Sequence, residues 1–286
     1  MKKLALAGII AVLVGDALWL YPPTRPLVLI LLRRTSVCSI ADSLRAHSNT
    51  QKRVLPEVGE VQRDGDYHRW STPMGDFWVP ARTDESVASI VGEQMTDVYG
   101  ADLVRRDDIV MDCGANVGAF TRKVLSRGAR LVVSVEPTPE NVACLRRNFA
   151  QEIAEGRVIV YPKGVWDKDD FLEIHRGRTS AWDSFVEAGK PGERLPLSTI
   201  DSIVRDLALE RVNVIKIDVE GAEVKALMGA TSTIRRWHPR LSFDPEPVPP
   251  HELQEAVRRI SPDYSMRCGP CVDVRTLILP VSVSFY

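Results

Sequence analysis

Residues Ile109 to Cys113 form an apolar run that passes through a glycine-spaced turn, Gly114-Ala115-Asn116-Val117-Gly118, into Ala119-Phe120-Thr121, the start of a helix. Gly114 lets the chain turn sharply, and Gly118 lets the new helix pack close. The N–H groups freed at the helix start are expected to face a ligand, with the positive end of the helix dipole behind them. Glu136 closes the next apolar run, Leu131 to Val135, 22 residues after Gly114. A carboxylate at that distance commonly grips the hydroxyls of a ribose. In the dinucleotide fingerprint Gly-x-Gly-x-x-Gly the second glycine lets a pyrophosphate touch the backbone, and here Asn116 takes its place. A nucleoside without a pyrophosphate therefore fits better than NAD. The turn alone could merely connect strand to helix; the acid that ends the following strand favours a ligand.

From Asp108 onward, short apolar runs alternate with helical stretches, the pattern of a parallel sheet covered on both faces. Strands are expected at 109–113, 131–136, 158–161, 213–219 and 240–243, and helices near 118–127, 139–150, 221–236 and 250–260. Two further strands, about 263–267 and 274–283, are expected to form an antiparallel final hairpin. The fold class is α/β, a doubly wound, Rossmann-like sheet of seven strands. Upstream, Tyr67–Ser71 and Phe77–Pro80 flank turn residues and predict a hairpin. Val87, Ile90, Val91, Met95 and Val98 then fall at helical spacing, with Gly100 as the stop.

The first residues differ in kind. Leu4 to Leu20 is apolar apart from Asp16, follows Lys2 and Lys3, and at 17 residues reaches the lower limit for spanning a bilayer. A membrane anchor, a cleaved signal peptide and a short buried helix compete; Val14-Gly15-Asp16-Ala17 makes a poor cleavage site, which favours the anchor. Arg25, Arg33 and Arg34 outnumber Lys2 and Lys3, which points to a cytoplasmic main domain. The expected organisation is an N-terminal hydrophobic helix and its flank over 1–35, a polar linker over 36–66, and a body over 67–286, with hairpin and helix at 67–107 and the sheet at 108–286.

Composition removes several classes. Lys plus Arg total 37 against 38 for Asp plus Glu, and no basic stripe is interleaved with aromatics, so nucleic acid is not an expected partner. Five cysteines, an odd number, argue against a secreted disulfide framework. Cys268-Gly269-Pro270-Cys271 spells a redox motif, but between two β-rich runs Gly-Pro reads as a structural turn. His175, His238 and His251 read as surface residues.

A second constellation is Lys216-Ile217-Asp218-Val219-Glu220-Gly221-Ala222-Glu223, a strand that ends in acids and enters a helix. Ligands of a doubly wound sheet sit at the carboxyl ends of its strands, so Asp112, Glu136 and Asp218 should converge on one crevice. Glu223 reads more simply as a complement to a helix dipole. The acids Asp218, Glu220 and Asp244 could also hold a divalent metal, although nothing in their spacing requires one.

Four motifs in order carry a resemblance: Asp112-x-Gly114-x-Asn116-x-Gly118, Glu136-Pro137-x-Pro139-Glu140-Asn141, Thr199-Ile200-Asp201, and Lys216 to Glu223. Over roughly residues 70 to 245 the chain resembles the FkbM family of S-adenosylmethionine-dependent methyltransferases. The resemblance implies a seven-stranded methyltransferase sheet with a reversed final hairpin, and methyl transfer to oxygen, often a hydroxyl of a sugar, lipid-linked glycan or polyketide. On that footing S-adenosylmethionine is the cofactor. Asp112, the backbone of Gly114, Ala115, Asn116 and Gly118, and Glu136 would hold it, with Pro137 and Val165 along the adenine. Asp218 or Glu220 would take the acceptor's proton. The family usually has a Glu where the fifth strand ends, whereas this chain has Asp244 after Phe243. The acceptor, a small molecule or a glycan or lipid-linked one, would be selected by 67–100 and the loops after the strands. The rival from another class is a membrane-tethered binding module of the same fold without catalysis.

Overall fold

A computed structural model describes residues 55–100, 103–174, 193–244, 248–269, 271–274, 277–280 and 282–286. The Leu4–Leu20 segment and His175 lie outside these residues. Within the described residues, no helix is long and apolar enough to cross a membrane.

The centre is a seven-stranded sheet. In chain order its strands are β4 (Ile109–Cys113), β5 (Leu131–Val135), β6 (Val158–Tyr161), β10 (Val214–Ile217), β11 (Arg240–Phe243), β12 (Met266–Cys268) and β15 (Val283–Phe285), and their spatial order is β12-β15-β11-β10-β4-β5-β6. Strands β6, β5, β4, β10 and β11 are parallel, and β15 runs antiparallel to β11 and β12. The reversed end of the sheet is therefore as expected, but its last strand is not. The apolar run 274–283 is split: β13 (Cys271–Val274) and β14 (Leu277–Pro280) form their own ribbon, and only Val283–Phe285 joins the sheet. Gly269 follows β12 and β13 begins at Cys271, and Cys268 at the end of β12 is disulfide-bonded; Pro270 lies outside the described residues.

Every residue of β4 and β10 is buried, as expected of central parallel strands covered on both faces. Alternation sorts their side chains. Val110, Val132 and Val214 pack with Phe120 and Val124 of α2 (Ala119–Ser126) on one face. Met111, Cys113, Val133, Ile215 and Ile217 pack on the other. That second layer holds α5 (Ile200–Asp206), α6 (Glu223–Met228), α7 (Thr231–Trp237) and α8 (Pro250–Ile260).

The helix expected over 221–236 is broken into α6 and α7. At Gly229 a Cβ would stand 2.1 Å from the Trp166 carbonyl, and Asp201 of α5 accepts the N–H groups of Ser232 and Thr233 at 2.8 and 2.7 Å. A carboxylate from another helix thus caps α7. Thr199 caps α5 itself through Ser202 N at 2.9 Å. The Thr199-Ile200-Asp201 motif is accounted for by these two caps.

Before the sheet, β1 (Gly59–Asp64), β2 (Tyr67–Ser71) and β3 (Phe77–Pro80) form a three-stranded antiparallel unit rather than a two-stranded hairpin. Strand β1 lies inside the stretch read as linker. All six of its residues are exposed, so no alternation marks it in the sequence. The unit docks on α3 (Pro139–Asn148), where Asn148 accepts from Trp78 N at 2.7 Å and donates to the carbonyls of Trp78 and Val117. Helix α3 ends at Asn148, a short α4 (Ala150–Ala154) follows, and a small sheet of β7 (Gly164–Val165), β8 (Asp170–Ile174) and β9 (Glu193–Ser198) flanks the centre. Helix α1 (Val87–Met95) buries Val87 and Val91 as the spacing predicts, whereas Met95 is 47% exposed.

Candidate active site

Register places one polar residue on each of four adjacent parallel strands: Ser134 opposite Asp112, Asp112 opposite Lys216, and Lys216 opposite Ser242. All four are buried, so each needs partners. Thr121 of α2 donates to Asp112 Oδ2 at 2.7 Å and lies 2.8 Å from Ser134 Oγ. Lys216 Nζ stands 3.2 Å from Asp112 Oδ1 and 3.3 Å from Asp218 Oδ2, and donates to the Gly114 carbonyl at 2.8 Å. Tyr99 Oη donates to Asp218 Oδ2 at 2.7 Å, and Ser242 Oγ donates to the Tyr99 carbonyl at 2.9 Å. Burial pulls the Lys216 ammonium towards neutrality, but Asp218 and Asp112 outweigh it and hold the proton more firmly than usual. Burial, with Asp218 beside it, raises the Tyr99 phenol well above its ordinary range.

Two loops stand at the carboxyl ends of β4 and β10. In the first, Gly114 and Gly118 adopt φ of +78° and +92°, and Asn116 takes φ of 51°, a left-handed position that Asn tolerates. A Cβ on Gly114 would sit 1.8 Å from the Asp218 carbonyl, so this glycine exists where the two loops touch. One on Gly118 would meet the Phe149 ring at 2.2 Å. The amides of Gly114 to Gly118 all find acceptors within the protein. Gly114 N and Ala115 N donate to the Val135 carbonyl, Asn116 N to Glu136 Oε2, Val117 N to Asn116 Oδ1, and Gly118 N to the Ala115 carbonyl. These five donors are satisfied within the protein and hold the loop's shape; the amides expected to face a ligand are those at the helix start that follows.

The second loop runs from Asp218 to Ala222. Glu220 holds a left-handed φ of 53°, a strained conformation for a non-glycine residue, and Gly221 follows at 105°. The turn is pinned from below by the buried Glu223 carboxylate, which accepts Val219 N at 3.0 Å and Gly221 N at 3.1 Å. Glu223 is thus more than a complement to the α6 dipole. Burial of Glu220, with Asp218 and Glu223 near it, raises its carboxyl to about 8 against the opposing pull of Lys216.

Between the loops and α1 lies a cleft of about 360 Å³. Gly114, Ala115 and Asn116 line one side, with Lys216, Asp218, Glu220 and Asp244 at the strand ends. Ser86, Ser89, Ile90, Glu93 and Gln94 face them, a single helical stripe that opens at the residue before α1. Of the residues singled out in the sequence, Gly114, Ala115, Asn116, Asp218 and Glu220 are brought together here, and Asp244 joins them. The others are not. Asp112, with no exposed surface, lies behind the wall and holds Lys216 and Thr121 instead of reaching into the cleft. Gly118 packs against α3, and Val165, 1% exposed, belongs to the core. Glu136 is 5% exposed and accepts Asn116 N, Thr138 N and Asn141 Nδ2, with Pro137 half-buried beside it.

Sequence reasoning missed the cleft roles of Lys216, Tyr99 and the α1 stripe. Lys216 had a signal, since a lysine within an apolar strand must find a counter-charge; the stripe was masked by the apolar face of its own helix. Among the described residues, the group of metal-ligand types drawn together is Glu60, His68 and Asp84, away from this cleft, and the cleft acids do not form such a group. His68 Nδ1 is 2.6 Å from Asp84 Oδ2, Trp70 Nε1 donates to Asp84 Oδ1, and Glu60 pairs with Arg63, so each of the three has a partner within the protein. His238 and His251 are exposed.

A seven-stranded, mostly parallel sheet with its cleft at the strands' carboxyl ends fits a methyltransferase fold. Residues 112–261, more than half of the chain, match the Methyltransferase FkbM domain, and the chain belongs to that family. Hexuronic acid methyltransferase AglP of Haloferax volcanii is 24% identical over 149 residues, which cover 52% of this chain and 61% of that protein. The chain thus spans about three fifths of this curated relative. Among solved structures, Methyltransferase FkbM of Methylobacillus flagellatus KT aligns over 72% of this chain and 55% of that one at 17% identity, with a TM-score of 0.48. An rRNA methylase of Streptococcus thermophilus aligns over 67% and 93% at 11% identity, with a TM-score of 0.41.

Proposed function

We propose that the chain is an S-adenosylmethionine-dependent O-methyltransferase acting on a hydroxyl of a sugar, glycan or lipid-linked acceptor, with Glu220 as general base. The observation that carries this reading is the meeting, in one cleft of a methyltransferase-family chain, of the Gly114–Asn116 wall with Asp218, Glu220 and Asp244. The cleft has the volume of a small-molecule site. Its acidic lining suits a positively charged ligand and opposes a pyrophosphate, which weighs against NAD as Asn116 does.

Bound S-adenosylmethionine would supply a methyl group already activated by a positively charged sulfur. Holding the reactants in line and accepting the acceptor's proton are then the tasks of the chain. The Gly114–Asn116 wall would hold the methionine part. Glu136, whose carboxylate accepts from the Asn116 and Thr138 amides and from the Thr138 and Asn141 side chains, would border the ribose. Pro137 would border the adenine, while Asp112 acts from behind the wall by holding Lys216 and Thr121, and Val165 by packing.

Asp218 and Glu220 divide the remaining work. Asp218 is committed to Lys216 and Tyr99, which makes it a positioning residue. Glu220, raised to about 8, is matched to accept a proton near neutral pH. The hydroxyls of Ser86 and Ser89 opposite it suit a polyhydroxylated acceptor, and the name of the AglP relative supports a sugar. Leu4–Leu20 would be a single-pass anchor that keeps a cytoplasmic catalytic domain beside lipid-linked acceptors.

Calorimetric titration with S-adenosylmethionine, S-adenosylhomocysteine and NAD, followed by methyl transfer to glycan and lipid extracts, tests the reading. Tight binding of NAD with neither of the other two overturns it; donor binding without transfer to any extract favours a tethered binding module. Fractionation of the full chain beside one that starts at Ser36 tests the anchor, which fails if both stay soluble.

A further inference from the structure

Three features of the cleft bear on how Glu220 acquires its charge. First, its backbone is held in a left-handed turn by the Glu223 carboxylate, and the side chain faces the same space as Gly114, Ala115 and Asn116. Second, the groups around it are predominantly acidic: Asp218 on its own loop, Glu223 on α6, Glu93 on α1 and Asp244 after β11, with the Tyr99 hydroxyl nearby. Third, Lys216, the cation among the cleft's described lining residues, is ion-paired with both Asp112 and Asp218. A carboxyl in such surroundings keeps its proton near neutral pH, as its rise to about 8 reflects. It would then be a base that is occupied until a positive charge enters.

We infer that Glu220 exchanges its proton for the positive charge of the methyl donor, so that the base is armed by donor binding and disarmed by turnover. The inference rests on the donor assignment above. The balance over one cycle is complete. On donor binding the Glu220 proton passes to solvent. As the acceptor oxygen forms its bond to the methyl carbon and the carbon–sulfur bond breaks, the acceptor's O–H proton moves to Glu220. The thioether product is uncharged, and the carboxyl beside it is again protonated, as in the empty cleft. The single proton produced by methyl transfer therefore appears in solution at the binding step. Ground-state discrimination follows as well: a charged donor gains from the ionised carboxylate, and a neutral product does not.

Calorimetric titration of the full chain at pH 7 in buffers of different ionisation enthalpy reads this directly. S-adenosylmethionine should release about 0.5–1 proton per site, from a group near 8 driven below neutrality. S-adenosylhomocysteine, which carries the same amino and carboxyl groups without the sulfonium, should release far fewer. Glu220→Gln should still bind S-adenosylmethionine and lose the difference. In the wild type alone, affinity for S-adenosylmethionine should rise with pH, by up to tenfold per unit, and level off above about 8, while that for S-adenosylhomocysteine stays nearly flat. Equal release by both ligands, parallel pH profiles, or release that survives in Glu220→Gln would each overturn the inference. If neither ligand binds the wild type, it is the donor assignment that fails.

Discussion

The two loops that meet at Gly114 are built on opposite plans. The loop after β4 consumes its own hydrogen-bonding capacity: five consecutive amides find acceptors inside the protein, and its glycines relieve contacts with Asp218 and Phe149. The loop after β10 spends a buried carboxylate, Glu223, to hold another, Glu220, in a strained turn facing the cleft. One loop is a rigid wall, and the other carries unfavourable charge and backbone geometry. Strain and raised carboxyls of this kind gather where chemistry is done.

The sharpest way to break this contrast is to remove charge from the strained loop. Glu220→Gln should lower kcat by about 10²–10⁴-fold while the protein still binds donor. Asp218→Asn keeps an acceptor for Tyr99 and should cost less, about tenfold to a hundredfold. A larger loss from Asp218→Asn, with Glu220→Gln active, would reverse the two roles. The wild-type kcat/KM should rise with pH and level off above about 8, because the free enzyme must first ionise Glu220.

The wall is tested through stability. In Gly114→Ala, a left-handed alanine meets the Asp218 backbone carbonyl, for a cost of about 3 kcal/mol and a fall in Tm of about 10 °C. Donor affinity should fall with it, since both loops must move. If Gly114→Ala folds and binds normally, the touching of the loops is not what positions the site.

The contrast also explains what the sequence disclosed. The β4 loop was legible because glycines at a fixed spacing announce backbone geometry, and the parallel strands because Val, Ile and Leu runs announce burial. Both glycines serve as expected, Gly114 in a sharp turn and Gly118 in close packing against Leu145 and Phe149; that Gly114 also makes room for the loop after β10 is a tertiary fact. The polar row of Ser134, Asp112, Lys216 and Ser242 was invisible because it runs across strands, and register is a tertiary property. Strand β1 carried no pattern, being exposed on both faces, and the α7 start was hidden because its cap, Asp201, comes from a different helix. Asp218 and Glu220 were both found, but their ranking depends on Lys216 and Tyr99, which lie far from each other in the chain.

Smaller effects come from the support beneath the strained turn. Glu223→Gln replaces one acceptor oxygen by a donor facing the Val219 and Gly221 amides, for about 1–2 kcal/mol of stability. Its signature is a drop in kcat with donor affinity nearly unchanged. A fall in donor affinity with kcat intact would place Glu223 in service of the wall rather than of Glu220.

A stability effect of the opposite sign comes from Glu220 itself. Glu220 carries a carboxyl at about 8 in the folded protein against 4.5 for its ordinary value. Between those limits Glu220 binds more proton in the folded state than in the unfolded one, so its contribution to stability declines as pH rises from about 4.5 to 8 and is then level. Glu220→Gln removes that decline. Its Tm should match or fall slightly below the wild type at pH 5 and exceed it at pH 9 by about 5–10 °C, because a shift of that size is linked to at most about 5 kcal/mol and the partial exposure of Glu220 reduces it. Parallel Tm curves would mean that the turn holds Glu220 without charge stress, and the contrast between the loops would reduce to backbone geometry alone.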